Sequence, residues 1–306
     1  MRLLICTDIV AKGHAKCYNL VTMNQVRQLA TEITSRYGTI KRARGCFLYT
    51  AKGTRLTDLF QEGGRAILGW GGSSAFTMLK NVLSRGITGS FDTDYAPCAD
   101  GRKSQLSRAV SELLASEREV FIFTGRQQAL KAALEAAPQS TSMYRPWAEN
   151  ANWSSVTAVI IEPPLPWTPS FWILAVSAGT AVPAESTPIA APLCTAITRS
   201  IYNLIAALQT RQEKDWFIYD SVLTKYWTRR GPWLYPKMSQ EDYALFVRHC
   251  LEQEIVISPI YEQPSIVPFG ADRGVFRKLE RNPFAFAAES EAPAATPAPS
   301  EAAPQE

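Results

Sequence analysis

Four consecutive residues, Thr124-Gly125-Arg126-Gln127, stand between a short apolar run, Val120–Phe123, and a stretch of strong helix formers, Gln127–Ala137. A strand that turns directly into a helix leaves backbone N–H groups unpaired at the positive end of the helix dipole, and this is a ready anion site. Arg126 adds a full charge to it. The turn is therefore a candidate seat for a phosphate or another small anion; the alternative is an ordinary β-to-α turn with Arg126 in solvent. Glu162, followed by Pro163, offers a carboxylate where the run Val156–Ile161 ends, and ligands of open α/β sheets sit at the C-terminal ends of strands. Three other groupings carry less. His249 and Cys250 are neighbours, but adjacent helical residues diverge by about 100° and cannot act as base and nucleophile. Tyr144, Trp147, Trp153, Trp167 and Trp172 are either an aromatic pocket or core packing. The glycines at 63, 64, 69, 71 and 72 lack the Lys-Ser/Thr ending of a nucleotide loop and do not follow G-x-G-x-x-G.

Composition removes several classes. The chain has two histidines, His14 and His249, far apart, so a histidine-rich metal site is not available. Its six cysteines form no Cys-x-x-Cys pair, against a zinc ribbon, a redox dithiol or a disulfide framework, and they suit a reducing compartment. Residues 1–55 hold ten Lys/Arg against Asp8 and Glu32. These bases are scattered and lack interleaved aromatics, so they read as solvated surface and nucleic acid is not an expected partner. The longest stretch without an ionisable group, Pro163–Ala184, has a continuous apolar part of only Phe171–Val176, too short to span a bilayer. With no secretory signal visible at Met1–Val10, the expectation is a soluble cytoplasmic protein without a membrane contact. At 306 residues and 46% hydrophobic, the chain can fill one large domain or two.

The elements that must position these residues follow from periodicity. Gln25–Arg36 reads as a helix capped by Asn24, with Val26, Leu29, Ile33 and Tyr37 on one face and Gly38 as its stop. Residues 44–60 read as a hairpin, Cys46–Tyr49 and Arg55–Phe60, turning at Ala51-Lys52-Gly53. Helices follow at about Ser74–Ser84 and Gln105–Ser116. Val156–Ile161 and Phe171–Val176 are continuous apolar runs, as parallel strands covered on both faces should be. Thr195–Leu208 and Asp242–Glu252 are amphipathic helices, the latter before a strand at Ile255–Ser258. Residues 287–306, almost entirely Ala, Pro, Glu and Ser, have too little apolar content to fold and are expected to be a disordered tail.

Several of these pieces, in order, resemble class III aminotransferases, the fold type I pyridoxal-phosphate enzymes. KRARGCFLYTAKGTRLTDLFQEGGRAILGW is similar to that family's entry hairpin and glycine-rich stretch. EVFIFTGRQQALKAALEAA resembles the strand–turn–helix that cups the cofactor phosphate, VTAVIIEPP the Ala-Val-Ile-x-Glu-Pro strand, and DYALFVRHCLEQEIVISPIYE the small C-terminal domain. The resemblance implies a mostly parallel sheet with helices on both faces, truncated, plus a small α+β C-terminal domain. It divides the chain into an uncertain extension (1–23), an N-terminal helix and hairpin (24–60), a large α/β domain (61–211), a small domain (212–286) and the tail (287–306).

The chemistry departs from the family. Its cofactor needs a lysine for the internal Schiff base and an aspartate at the pyridine nitrogen. Ala175, Val176 and Ser177 occupy the region of that aspartate, and no lysine occurs between Lys131 and Lys214. The leading expectation is a degenerate aminotransferase-fold protein without transaminase activity, acting in binding, regulation or assembly. It would take a small anion at Thr124–Gln127, with Glu162 at the pocket edge; no cofactor is expected, pyridoxal phosphate being the one the resemblance leaves open. One alternative is an active enzyme with an atypical site, for which Lys131 or Lys225 is the nominated lysine; another is an unrelated Rossmann-like binding module. With the lysine-bearing strands shortened, Phe171–Val176 should lie near a sheet edge or beside a rearranged neighbour. The resemblance also implies a homodimer, with SSAFTMLKNVLSRGITGSF and the aromatic and arginine residues of KYWTRRGPWLY as interface segments.

Overall fold

The computed structural model describes residues 14–89, 93 and 104–285. Residues 1–13, Phe91 and the 287–306 tail lie outside the described residues. The first helix, α1 (His14–Tyr37), runs through Asn24, so that residue is not its cap. Leu29 and Ile33 are buried from it, each contributing on the order of 2 kcal/mol by leaving water. Gly38 ends the helix at φ +80, a left-handed conformation in which its N–H reaches back to the Thr34 carbonyl at 2.9 Å.

Three strands follow: β1 (Ile40–Arg44), β2 (Phe47–Thr50) and β3 (Arg55–Asp58), an antiparallel meander one strand longer than the expected hairpin. Leu48 and Leu56 turn inward onto Leu29 and Ile33. The third strand does not alternate between buried and exposed: Leu56, Thr57 and Asp58 are all buried, because β10 (Ile255–Val256) lies parallel beside it and closes that side. The buried Asp58 accepts from the Phe60 and Gln61 amides, both at 2.9 Å, and from Trp70 Nε1 at 2.7 Å. That carboxylate pins the start of the glycine-containing loop, which continues into α2 (Ser74–Leu83) and α3 (Gln105–Leu114).

The larger sheet has the order β4-β7-β6-β5, from β4 (Arg118–Phe123), β5 (Thr141–Met143), β6 (Ala158–Ile161) and β7 (Trp172–Ser177). Helix α4 (Arg126–Ala136) packs on one face through Ala129, Ala132 and Ala133. On the other face, α5 (Ala191–Thr210) buries Ala196, Ile197 and Ile201 with α3. One correction concerns β7. It is antiparallel to both β4 and β6, where a parallel strand was expected. It lies next to the edge strand β4, near the sheet edge as its position was expected to be. Its apolar run reports burial on two faces, which either orientation satisfies.

The chain continues through two short helices, α6 (Lys214–Phe217) and α7 (Asp220–Leu223), into the hairpin β8 (Trp227–Arg230) and β9 (Trp233–Pro236). Helix α8 (Gln240–Glu252) is capped by the Ser239 hydroxyl and precedes β10; β11 (Ser265–Ile266) pairs with β9, and α9 (Arg277–Arg281) follows. Tyr226, Trp227 and Trp233 are buried within the chain, Trp227 completely, so these expected interface aromatics are core. Arg229 is held by Asp220 at 2.6 Å and by Glu213. On α2, Val82 is buried and Leu83 is exposed. Among the described residues, no helix is long and apolar enough to cross a membrane.

Candidate functional site

A cavity of about 460 Å³ opens where the ends of β5, β6 and β7 meet the loops around residues 62–67 and 260–264. Two of the residues singled out above come together in it: Arg126, the first residue of α4, and Glu162, just beyond β6. Thr124, Gly125 and Gln127 do not line it. Gly125 is the N-cap of α4 with extended backbone (φ −124, ψ 131) and no side-chain cap, so the turn needs no glycine-only conformation. The exposed Arg126 leans over the Trp172 ring at 5.7 Å from its centroid.

Two further arginines line the cavity and were not singled out from the sequence. Arg65 donates to Glu62 at 2.7 Å and to the Trp167 carbonyl at 2.7 Å, and its Nε lies 3.6 Å from the Glu162 carboxylate. Arg145 donates to the Tyr235 hydroxyl at 2.5 Å and lies 5.2 Å from the centroid of Trp233. Arg65 serves two carboxylates, whereas Arg126 and Arg145 make no ion pair among the described residues. Gly63 sits at φ +71, and a Cβ there would fall 2.2 Å from Gln263 Nε2, whose hydrogen bond to the Gly63 carbonyl ties the two loops together. An arginine inside a glycine-containing loop was the available signal for Arg65; Arg145 had none before β5 was placed.

Burial pushes the Glu162 carboxyl up to about 7; Arg65 and Arg126 pull it back, and Glu62 adds to the rise. The group therefore titrates near neutrality. When it is protonated the lining loses a negative charge, and the two arginines without an ion pair face a less negative wall. The arrangement can hold an anion and couple its binding to one proton.

The other candidates separate. Tyr144 and Trp172 line the cavity, but Trp147 packs on Trp216 at 5.5 Å, Trp153 lies tilted against Tyr144 at 5.0 Å, and the exposed Trp167 lies 6.3 Å from Phe76. The five aromatics do not form one pocket. Cys250 is fully buried, while the His249 ring meets the Asn282 carbonyl at 2.9 Å, so this pair is structural. Among the described residues, no group of three or more His, Cys, Asp or Glu is placed to hold a metal. Lys131 is exposed and 3.7 Å from Glu135, and Lys225 is exposed ahead of β8. Neither lines the cavity, and no described lining residue is a lysine. Ala175 and Val176 are fully buried in β7, which presents no carboxylate there.

No family model matches the chain. It is 29% identical over 288 residues to an uncharacterized protein of Treponema pallidum (strain Nichols), covering 78% of this chain and 91% of that one. Solved structures share the fold at low identity. An ornithine aminotransferase from Toxoplasma gondii aligns with TM-score 0.59 and 9% identity, over 88% of this chain and 97% of that one. One from Plasmodium yoelii gives 0.56 and 10%, over 85% and 97%. An N-acetylornithine aminotransferase from Stenotrophomonas maltophilia gives 0.56 and 13%, over 83% and 96%. The fold is the mixed α/β fold of type I aminotransferases.

Proposed function

We propose that this protein is an aminotransferase-fold protein that no longer transaminates and instead binds a small anion in the cleft between Arg126 and Arg145. One observation carries this: the cavity brings two unpaired arginines to a titratable glutamate, and none of its described lining residues is a lysine. The residues present do not fit a cofactor held through a Schiff base. Neither nominated lysine reaches the cavity, and β7 supplies no carboxylate for a pyridine nitrogen.

Calorimetric titration with inorganic phosphate tests this. Arg126→Ala should weaken binding by about tenfold or more, the worth of one charge-assisted contact. Because burial raises Glu162 to about 7, its proton is present at pH 6 and lost by pH 8. Phosphate affinity corrected for the phosphate's own ionisation should therefore fall, by about tenfold, as pH rises across that window. Glu162→Gln should flatten the profile at the tighter value. Undiminished binding by Arg126→Ala would place the anion elsewhere and sink the assignment.

Homodimerisation remains part of this reading, supported by the exposed Leu83 on α2 and no longer by the 226–235 aromatics. Light scattering at micromolar concentration should return twice the chain mass; a monomer mass that does not rise with concentration contradicts it.

A further inference from the structure

The excess positive charge of residues 1–55 has no part in the cleft. The sheet β1-β2-β3 concentrates some of it on one face. Cross-strand partners share a face, and the register pairs Arg42 with Tyr49, Arg44 with Phe47, and Tyr49 with Arg55. Arg42, Arg44 and Arg55 are exposed, with the two rings half-buried between them. Arg42 lies 5.4 Å from the centroid of Tyr49, and Arg55 4.5 Å from that of Phe47. Among the described residues none of the three arginines makes an ion pair, and neither ring belongs to an apolar cluster. The opposite face, with Leu48 and Leu56, is closed by α1. In sequence these bases lack interleaved aromatics; strand pairing interleaves them.

We propose that this outer face binds single-stranded nucleic acid. Guanidinium planes and aromatic rings alternating on a sheet are a stacking platform for unpaired bases, and the same arginines neutralise the phosphates that accompany them. Its two rings offer stacking positions for about two bases. A second copy of the chain is disfavoured as occupant, because an isologous contact would set these three arginines against themselves. An anionic membrane fits less well: both rings are half-buried, and Ile40 is the one exposed large apolar side chain on the three strands, too little to insert.

Fluorescence anisotropy of the full chain with a short labelled oligouridine, over a series of salt concentrations, tests the proposal. Binding should weaken with salt. Replacing Arg42, Arg44 and Arg55 together with glutamine should reduce affinity at least tenfold and lower the slope of log K against log salt by about 2, three single-strand phosphate contacts at roughly 0.7 each. Phe47→Leu with Tyr49→Leu should cost a similar factor while leaving the slope unchanged. Lys80→Gln, Lys131→Gln and Lys225→Gln together remove the same charge from other exposed sites and should have little effect. Thermal melts followed by circular dichroism establish that each variant is folded. Absence of binding at low salt, an equal loss in the lysine control, or tighter binding to phosphatidylserine vesicles than to oligouridine would each overturn the proposal.

Discussion

Replacing Arg118 with methionine should lower the stability of the protein by about 2 kcal/mol, the scale expected when several part-buried polar groups lose one shared partner. Arg118 is 3% exposed and opens β4, an edge strand of the four-stranded sheet. Its guanidinium donates to the carbonyls of Val156 at 2.6 Å, Thr157 at 3.1 Å, Trp153 at 2.9 Å and Ser154 at 3.3 Å, and its Nε to the Ser116 hydroxyl at 2.8 Å. No carboxylate answers this charge among the described residues, so the buried cation is held by neutral oxygens. Methionine keeps the stem volume and removes every donor, so the half-buried carbonyls of Val156 and Thr157 lose their guanidinium partner. The consequence extends to the cleft. The strand that Arg118 anchors ends at the turn that presents Arg126, so the variant should also bind phosphate less tightly at temperatures below its melt. Urea unfolding measures the first effect. A shift in midpoint no larger than that of Lys131→Met, on the exposed face of α4, would show that the carbonyl shell is satisfied without Arg118.

Local features were readable wherever one residue or one period determines the outcome. Gly38 stops α1 and the 51–53 turn closes the β2–β3 hairpin, because each needs a backbone state that few residues adopt. The α4 start was legible as a switch from apolar run to helix formers. Strand direction was not. Trp172–Ser177 is apolar because both faces are covered, and an antiparallel neighbour covers it as well as a parallel one. The β8–β9 hairpin was missed for a related reason. Trp227 and Trp233 with Arg229 have the composition of an interface core, but Gly231 at φ +55 turns the chain back and folds the rings inward. The cleft was half legible. Arg126 and Glu162 carry their signals in adjoining elements, whereas Arg65 and Arg145 acquire a role only when loops distant in sequence converge. The outer face of the first sheet depends entirely on register: a shift of one residue in β1 would send Arg42 and Arg44 to the buried side.

The proposed function turns on one expectation, that no lysine of this chain holds pyridoxal phosphate as a Schiff base. Incubation of the full-length protein with excess pyridoxal phosphate, reduction with borohydride and mass spectrometry of proteolytic fragments reads this out residue by residue. A reducible carbon–nitrogen link in a built site would give stoichiometric labelling of a single lysine and a visible absorbance band before reduction. Neither is expected here: labelling should be substoichiometric, spread over exposed lysines such as Lys131 and Lys225, and unaffected by Arg126→Ala. Stoichiometric attachment to one lysine, diminished by Arg126→Ala, would contradict it and make this protein a pyridoxal-phosphate binder with an atypical site.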